Sequence, residues 1–412
     1  MFDYSAFFKN KIKDLYKESR YRYFAHLERL QEEPPYAWIY KHPALPHLTP
    51  RKVSVWCSND YLGLTHHPEM IKAHNNAAEK LGVGSGGTRN IAGSACLHEN
   101  LENRLAELHG KEKALLFSSG YVANETTLQT LGEKIPNVIF LSDEKVHASM
   151  IQGVRNSRAE KLIFKHNDMQ DLEEKLAFLD FDRPKIIVVV SVYSMDGNQA
   201  NLESICNLSE KYNALIFLDE VHAVGIYGNG GAGVASQLKL QDRIHIIQAN
   251  FAKGFGSFGG YICANKEIVD FIRSYGSGFI FTTSLPPSVV SASIKALDIL
   301  NESSDLQDSL HNRVSYLKNQ LTQSIILNYQ PTDSHIIPIY IGDSSLCSKV
   351  SQDLLMDYSI YVQPINYPTV PKASERLRVT ITPNHTFELI DYFVQSLEKV
   401  WMKNNLNMRQ AA

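Results

Sequence analysis

The sequence predicts an α/β protein whose larger part carries a mainly parallel sheet and whose C-terminal part is a smaller α+β unit. Three observations carry that expectation. The middle of the chain holds short apolar runs that are continuous, which marks strands covered on both faces and hence a parallel sheet. Helical patterns separate those runs, giving the layered order of α/β proteins. After about residue 290 the texture changes to an amphipathic helix and alternating strands.

Taken in order, residues 1–60 read as an N-terminal segment, helical at first, with "KVSVWCSNDYLG" as strand and turn. Residues 61–290 form the large domain. Its buried strands are expected at "ALLFSS" (114–119), "VIFLSD" (138–143), "KLIFKH" (161–166), "KIIVVVS" (185–191), "ALIFLDE" (214–220) and "IHIIQA" (244–249), and "YICA" adds a further strand. "HENLENRLAELHG" and "NLESICNLSEKYN" are helical, the latter opening on an Asn that suits an N-cap. Residues 291–412 form the small domain. In it Leu310, Val314, Leu317 and Leu321 share one helical face, and "SHIIPIYIG" and "RLRVTIT" read as half-exposed strands.

Apolar residues make up 44% of the chain and charged residues 21%, the profile of a globular protein with a sizeable core. A formal net charge of -3 gives no electrostatic reason to expect nucleic acid or an anionic membrane as partner. The five cysteines are scattered without a CxxC pair, as in reduced thiols. No apolar run approaches the ~20 residues of a membrane span, and the N-terminus lacks the apolar core of a signal peptide. The expectation is a cytoplasmic chain.

Glycine spacing gives two GxGxxG matches, "GVGSGG" (82–87) and "GFGSFG" (254–259). Neither sits between a strand and the helix it opens, which a dinucleotide site requires. "LDEVH" (218–222) looks like a helicase DExH box, yet the only Gly-Lys pair, Gly110-Lys111, is followed by Glu112 and forms no phosphate loop. A metal site at Asp219 and His222 lacks further ligands nearby, and a strand-end acid bonded to backbone remains open as the plain structural reading. The combination of Asp219, His222 and Lys253 favours pyridoxal phosphate. That cofactor needs a lysine for its imine, an acid beside its ring nitrogen and a phosphate site. Asp219 at a strand end points to the crevice where ligands of α/β sheets bind, and His222 is within reach of the ring hydroxyl. Lys253 lies at the end of the next strand in an apolar setting. "SSGYVAN" (118–124) offers backbone N–H groups at a helix N-terminus.

With those residues in view, the chain resembles the α-oxoamine synthase family of pyridoxal-phosphate enzymes nearly end to end. Within it the resemblance is closest to the 5-aminolevulinate synthases. "RYRYF" (20–24), "GSGGTRNIAG" (84–93), "HASMIQGVRNSRAEK" (147–161), "SVYSMDG" (191–197), "LDEVHAVGIYG" (218–228), "GFIFTTSLPP" (278–287) and "YVQPINYPTVP" (361–371) carry it. The resemblance implies a fold-type I, aspartate aminotransferase-like enzyme and a homodimer with shared sites. It implies condensation of glycine with succinyl-CoA to 5-aminolevulinate, CoA and CO2. Lys253 would carry the cofactor and shuttle a proton, Asp219 pair with the ring nitrogen, His222 bind the phenolic oxygen and His147 stack on the ring. Ser119, Gly120 and Tyr121 would lie at the phosphate with Thr282 or Thr283 of a second subunit, and Ser191 and Asn250 count among the cofactor contacts. Arg378 and Asn59 would hold the amino-acid carboxylate. Arg22, Thr88, Asn90, Ile91 and Thr369 would hold the succinyl end, and Ser142 and Lys161 the CoA.

This sequence departs from the family pattern at Val146, where Asn precedes the histidine, at Val190, where an acid is usual, and at Asn250, where Thr or Ser is usual. These changes surround the cofactor and admit a different substrate preference. Two other readings stand beside the first, only one of them resting on the departures. One is a synthase using another acyl-CoA or amino acid; the other is a cofactor-free homologue that acts as a binding partner.

Overall fold

A computed structural model describes residues 1–18, 20–326 and 329–407, so the last five residues of the expected small domain lie outside it. The strands are β1 (His26–Arg29), β2 (Tyr36–Lys41), β3 (Arg51–Val55), β4 (Lys113–Phe117), β5 (Ile139–Asp143), β6 (Glu160–Phe164), β7 (Lys185–Val190), β8 (Ala214–Asp219), β9 (Ile246–Asn250), β10 (Gly260–Ala264), β11 (Ile337–Tyr340), β12 (Ile360–Tyr361), β13 (Pro364–Ile365) and β14 (Arg376–Val379). They belong to two compact units. One comprises Asn59–Ser194 and Asn198–Asp308, the other Met1–Ser58, Met195–Gly197 and Ser309–Ala412.

The first unit is built on a seven-stranded sheet of order β4-β10-β9-β8-β7-β5-β6. Every pair from β9 to β6 is parallel, and β10 runs antiparallel to both β4 and β9. The central strands β5, β7 and β8 are buried almost throughout, which accounts for their unbroken apolar composition. "KLIFKH" differs from expectation. As β6 it is the sheet edge, and Glu160, Lys161 and Ile163 are exposed while Phe164 is buried. Helices are capped by the residues that local chemistry favours: Asn201 Oδ1 accepts from the Ser204 amide at the start of Leu202–Lys211, and Asp168 and Asn265 cap two others.

The second unit joins both ends of the chain. β1, β2 and β3 form an antiparallel sheet that β12 completes by pairing parallel to β3, Ser54 opposite Ile360. Ala37, Ile39, Leu48 and Val53 pack with Leu355, so residues 1–58 share a core with the C-terminal part and do not stand as a separate segment. Trp56 stacks on Phe393 with ring centroids 4.1 Å apart. The helix Asp305–Gln323 buries Leu310, Val314, Leu317 and Leu321, as their spacing predicts. A second sheet, β11-β14-β13, departs from the half-exposed reading: all four residues of β14 and three of β11 are buried. Alternation misled there because Arg376 and Arg378 occupy covered positions; Arg376 is satisfied by Asp196 (2.7 Å), the Met195 carbonyl (3.0 Å) and the Tyr340 ring face.

Candidate active site

In the first unit, the C-terminal ends of β7, β8 and β9 open onto one cavity lined by Asp219, His222, Lys253, His147, Asn124 and Asn250, among others. That is where side chains at strand ends of a parallel sheet converge. Asp219, the last residue of β8, is buried. Its Oδ1 accepts from the Val221 amide (2.8 Å) and its Oδ2 from Asn124 Nδ2 (2.9 Å), so a buried carboxylate is stabilised by directed donors. After it the chain turns sharply, with the amides of Ala223 and Val224 bonded to the Glu220 carbonyl (2.8 and 2.9 Å). That turn presents His222, whose Nδ1 lies 2.7 Å from Tyr61 Oη and whose Nε2 lies 3.1 Å from Lys253 Nζ.

Lys253 does not end its strand, as the sequence suggested, but follows β9 by three residues in a tight loop. The loop is closed by Phe251 N to Gly259 O (3.1 Å), Ser257 N to Phe251 O (2.7 Å) and Gly256 N to Lys253 O (3.0 Å). Its glycines serve packing. A Cβ on Gly254 would lie 2.1 Å from the Val224 carbonyl oxygen, pressed against the turn that carries His222. Gly256 has φ +60°, and a Cβ there would lie 2.6 Å from the Thr65 amide.

The helix Gly120–Lys134 starts at the same cavity, and Ser119 caps it, its Oγ accepting from the Val122 amide (3.2 Å). A Cβ on Gly120 would sit 3.0 Å from Cβ of Asn250, close enough that the asparagine would have to give way by a few tenths of an ångström. Tyr121 is partly exposed, its ring edge-on to His147. One turn along, Asn124 also donates to Ser149 Oγ (3.0 Å), which lies 2.7 Å from His147 Nδ1. Desolvation holds the His147 pKa below its ordinary value; the Lys253 charge adds to this and Asp219 opposes it. Asn124 Oδ1, Gln248 Oε1 and Asn250 Oδ1 are buried without partners among the described residues, which is costly unless a bound group completes them. A lysine amine, a buried acid, a helix N-terminus and unfilled polar groups in one cavity fit pyridoxal phosphate.

Other expected residues lie elsewhere. Ser191 Oγ donates to Glu220 Oε2 (2.5 Å) and does not line the cavity. Glu220 also accepts from the amides of Val234 and Ala235, yet burial still pushes its carboxyl up to about 7. Of the departures, Val190 lines the cavity and Val146 is buried. Thr88 bridges to Thr283, and Asn90 Nδ2 donates to the Ile280 carbonyl (3.4 Å), so Thr88, Asn90, Ile91, Thr282 and Thr283 come together on two loops. Thr282 and Thr283 line a different cavity from the one holding Lys253. Asn59 Oδ1 accepts from Tyr61 Oη (3.1 Å). Ser142 is buried on β5, and Lys161 is exposed on the neighbouring strand β6.

In the second unit, Arg22 donates to Thr369 Oγ1 (3.3 Å), and both line a wide cavity. Arg22 is exposed. Arg378, 5% exposed, sits on β14 and not on an exposed strand. Asn124, Ser149, Tyr61 and Glu220 escaped the sequence reading. Asn124 had a signal, since it lies four residues after Gly120 and so on the same helix face.

The profile of the family described as "Aminotransferase class I and II" matches residues 51–397. The 5-aminolevulinate synthase of Bradyrhizobium diazoefficiens is 47% identical over 99% of this chain and 98% of its own length. A mitochondrial 5-aminolevulinate synthase of Schizosaccharomyces pombe is 49% identical over 98% of this chain and 72% of its own length. Among solved structures, serine palmitoyltransferase of Sphingomonas wittichii superposes with a TM-score of 0.87 at 27% identity, covering 97% of each chain. The chain therefore belongs to the class I and II aminotransferase family, in its α-oxoamine synthase branch close to the 5-aminolevulinate synthases.

Proposed function

We propose that this chain is a pyridoxal 5'-phosphate enzyme that condenses glycine with succinyl-CoA, releasing CO2, CoA and 5-aminolevulinate. The observation that carries the reading is 47% identity to a 5-aminolevulinate synthase across 99% of the chain, with a lysine, an acid and two histidines gathered in one cavity. When bound, the cofactor supplies the electron sink that makes an amino-acid α-carbon nucleophilic. Lys253 anchors it and takes the α proton of glycine, and His222, 3.1 Å away, orients the lysine nitrogen. Asp219 keeps a proton on the ring nitrogen by Coulomb attraction. Ser119, Gly120, Tyr121 and Asn250 would hold the cofactor's phosphate, and His147 would lie against its ring. Arg378, with Asn59, binds the glycine carboxylate, and a guanidinium fork suits that group. Arg22 and Thr369 take the succinyl carboxylate, Thr88, Asn90 and Ile91 limit acyl length, and Ser142 and Lys161 meet CoA.

The working form in this reading is a cytoplasmic homodimer in which Thr282 or Thr283 completes the partner's phosphate site. Val83, Ile91 and Phe281 support it, being 86%, 85% and 80% exposed, the first two on the loop that carries Thr88 and the third beside Thr282. No helix among the described residues is long and apolar enough to cross a membrane.

A second reading, an α-oxoamine synthase for another acyl-CoA or amino acid, draws on Val190 and Asn250, two cavity residues that depart from the family pattern. A panel of succinyl-, acetyl- and octanoyl-CoA with glycine and serine separates the two. Preference for succinyl-CoA with glycine is expected; preference for octanoyl-CoA or serine replaces the first reading with the second.

A further inference from the structure

A chain of hydrogen bonds runs from Asp219 to His147 through Asn124 and Ser149, and a count of protons fixes its direction. The Asp219 carboxylate only accepts, so Asn124 turns its amide nitrogen to it (2.9 Å). The second proton on that nitrogen goes to Ser149 Oγ (3.0 Å). Ser149 then has one hydroxyl proton to place. His147 Nδ1 lies 2.7 Å from the hydroxyl oxygen, and no other acceptor is in reach among the described residues. The Ser149 backbone N–H points at the same nitrogen (3.3 Å). A proton on Nδ1 would face that N–H and leave the hydroxyl proton without an acceptor.

We infer that Asn124 and Ser149 are positioning residues that hold His147 as the neutral tautomer with its proton on Nε2. The inference rests on reading this cavity as the catalytic site. The ring thereby presents a fixed hydrogen-bond donor to the cavity it lines, and the orientation is dictated by the same carboxylate that would hold the cofactor ring. The groups around it are consistent with a neutral ring. Asp219 and Lys253 act on it with opposite sign, Lys145 and His222 line the same cavity, and the Tyr121 ring meets it edge-on.

Protein labelled with 15N-histidine, studied with its cofactor and after cofactor removal, reads the tautomer from 15N–1H correlations, with His147 assigned by its loss in His147→Gln. Unprotonated Nδ1 and protonated Nε2 are expected in both forms. In Ser149→Ala, which loses a donor to the neutral ring, the His147 signals titrate at higher pH, and the acid limb of kcat/KM moves up with them. Ser149→Thr keeps the hydroxyl and restores both. A protonated Nδ1 in the unaltered protein, or a titration unmoved in Ser149→Ala, overturns the inference. Should Ser149→Ala not fold, the tautomer of the unaltered protein alone decides. Failure of the catalytic reading shows separately, as visible absorbance surviving in Lys253→Ala.

Discussion

Lys253, which lines the cavity, and the fully buried Glu220 are governed by different forces. Lys253→Ala is expected to lose the long-wavelength absorbance of the bound cofactor and to slow turnover by at least ~10²–10⁴-fold; absorbance and steady-state rates on the purified variant check this. For Glu220, burial favours a neutral side chain, whereas Ser191 and the amides of Val234 and Ala235 all donate to it. The donors decide the sign, because an amide would turn an N–H group toward them. Glu220→Gln is therefore expected to destabilise the fold by about 1–3 kcal/mol, read by denaturant unfolding, and not to relieve it. Lys253, Asp219 and His222 were legible from the sequence, since an ionisable residue in an apolar run has few structural excuses. Tyr61 and Ser149 were not, because nothing in their own neighbourhoods sets them apart. Their roles come from contacts across 161 and 25 residues with His222 and Asn124.

At the scale of elements, the two turns that carry His222 and Lys253 act as one packed piece, with Gly254 as their contact. Gly254→Ala places a Cβ 2.1 Å from the Val224 carbonyl oxygen and is expected to cost about 1–3 kcal/mol and to weaken cofactor retention. Gly84→Ala, with nothing within 4 Å of the new Cβ, serves as the control and is expected to stay within about 0.5 kcal/mol. Thermal unfolding of both variants, loaded and cofactor-free, tests the pair. The buried strands of the large sheet were readable because both faces are covered and every position is apolar. β6 and β14 were not, for reciprocal reasons. An edge strand keeps apolar residues such as Ile163 that remain exposed, while β14 buries two arginines that look like surface residues until partners such as Asp196 come into view.

Across the whole molecule, stability is set to fall on the mildly acidic side. Burial lowers His109 from an ordinary 6.5 to about 3 and His385 to about 4, and also depresses His42, His98, His147 and His245. These rings are neutral when folded and take up protons when unfolded, so stability is full above pH 6.5 and declines as pH falls through 6.5 towards 4. Glu220, raised to about 7, binds its proton more readily when folded and opposes the trend between pH 4.5 and 7, but as one group against six. The unfolding temperature is expected to drop steadily from pH 6.5 to 4, and His109→Gln to flatten part of that slope; a flat profile in the parent protein contradicts the assignment. The pairing of β3 with β12 has a consequence in time. Ser54 meets Ile360, so the N-terminal strands leave the ribosome about 300 residues before the strand that completes their sheet, a wait of roughly 15–60 s at ordinary synthesis rates. Residues 59–308, interrupted only at 195–197, have no such dependence on the chain's end. A nascent chain arrested before residue 360 should therefore yield its first 58 residues to protease while the catalytic sheet resists.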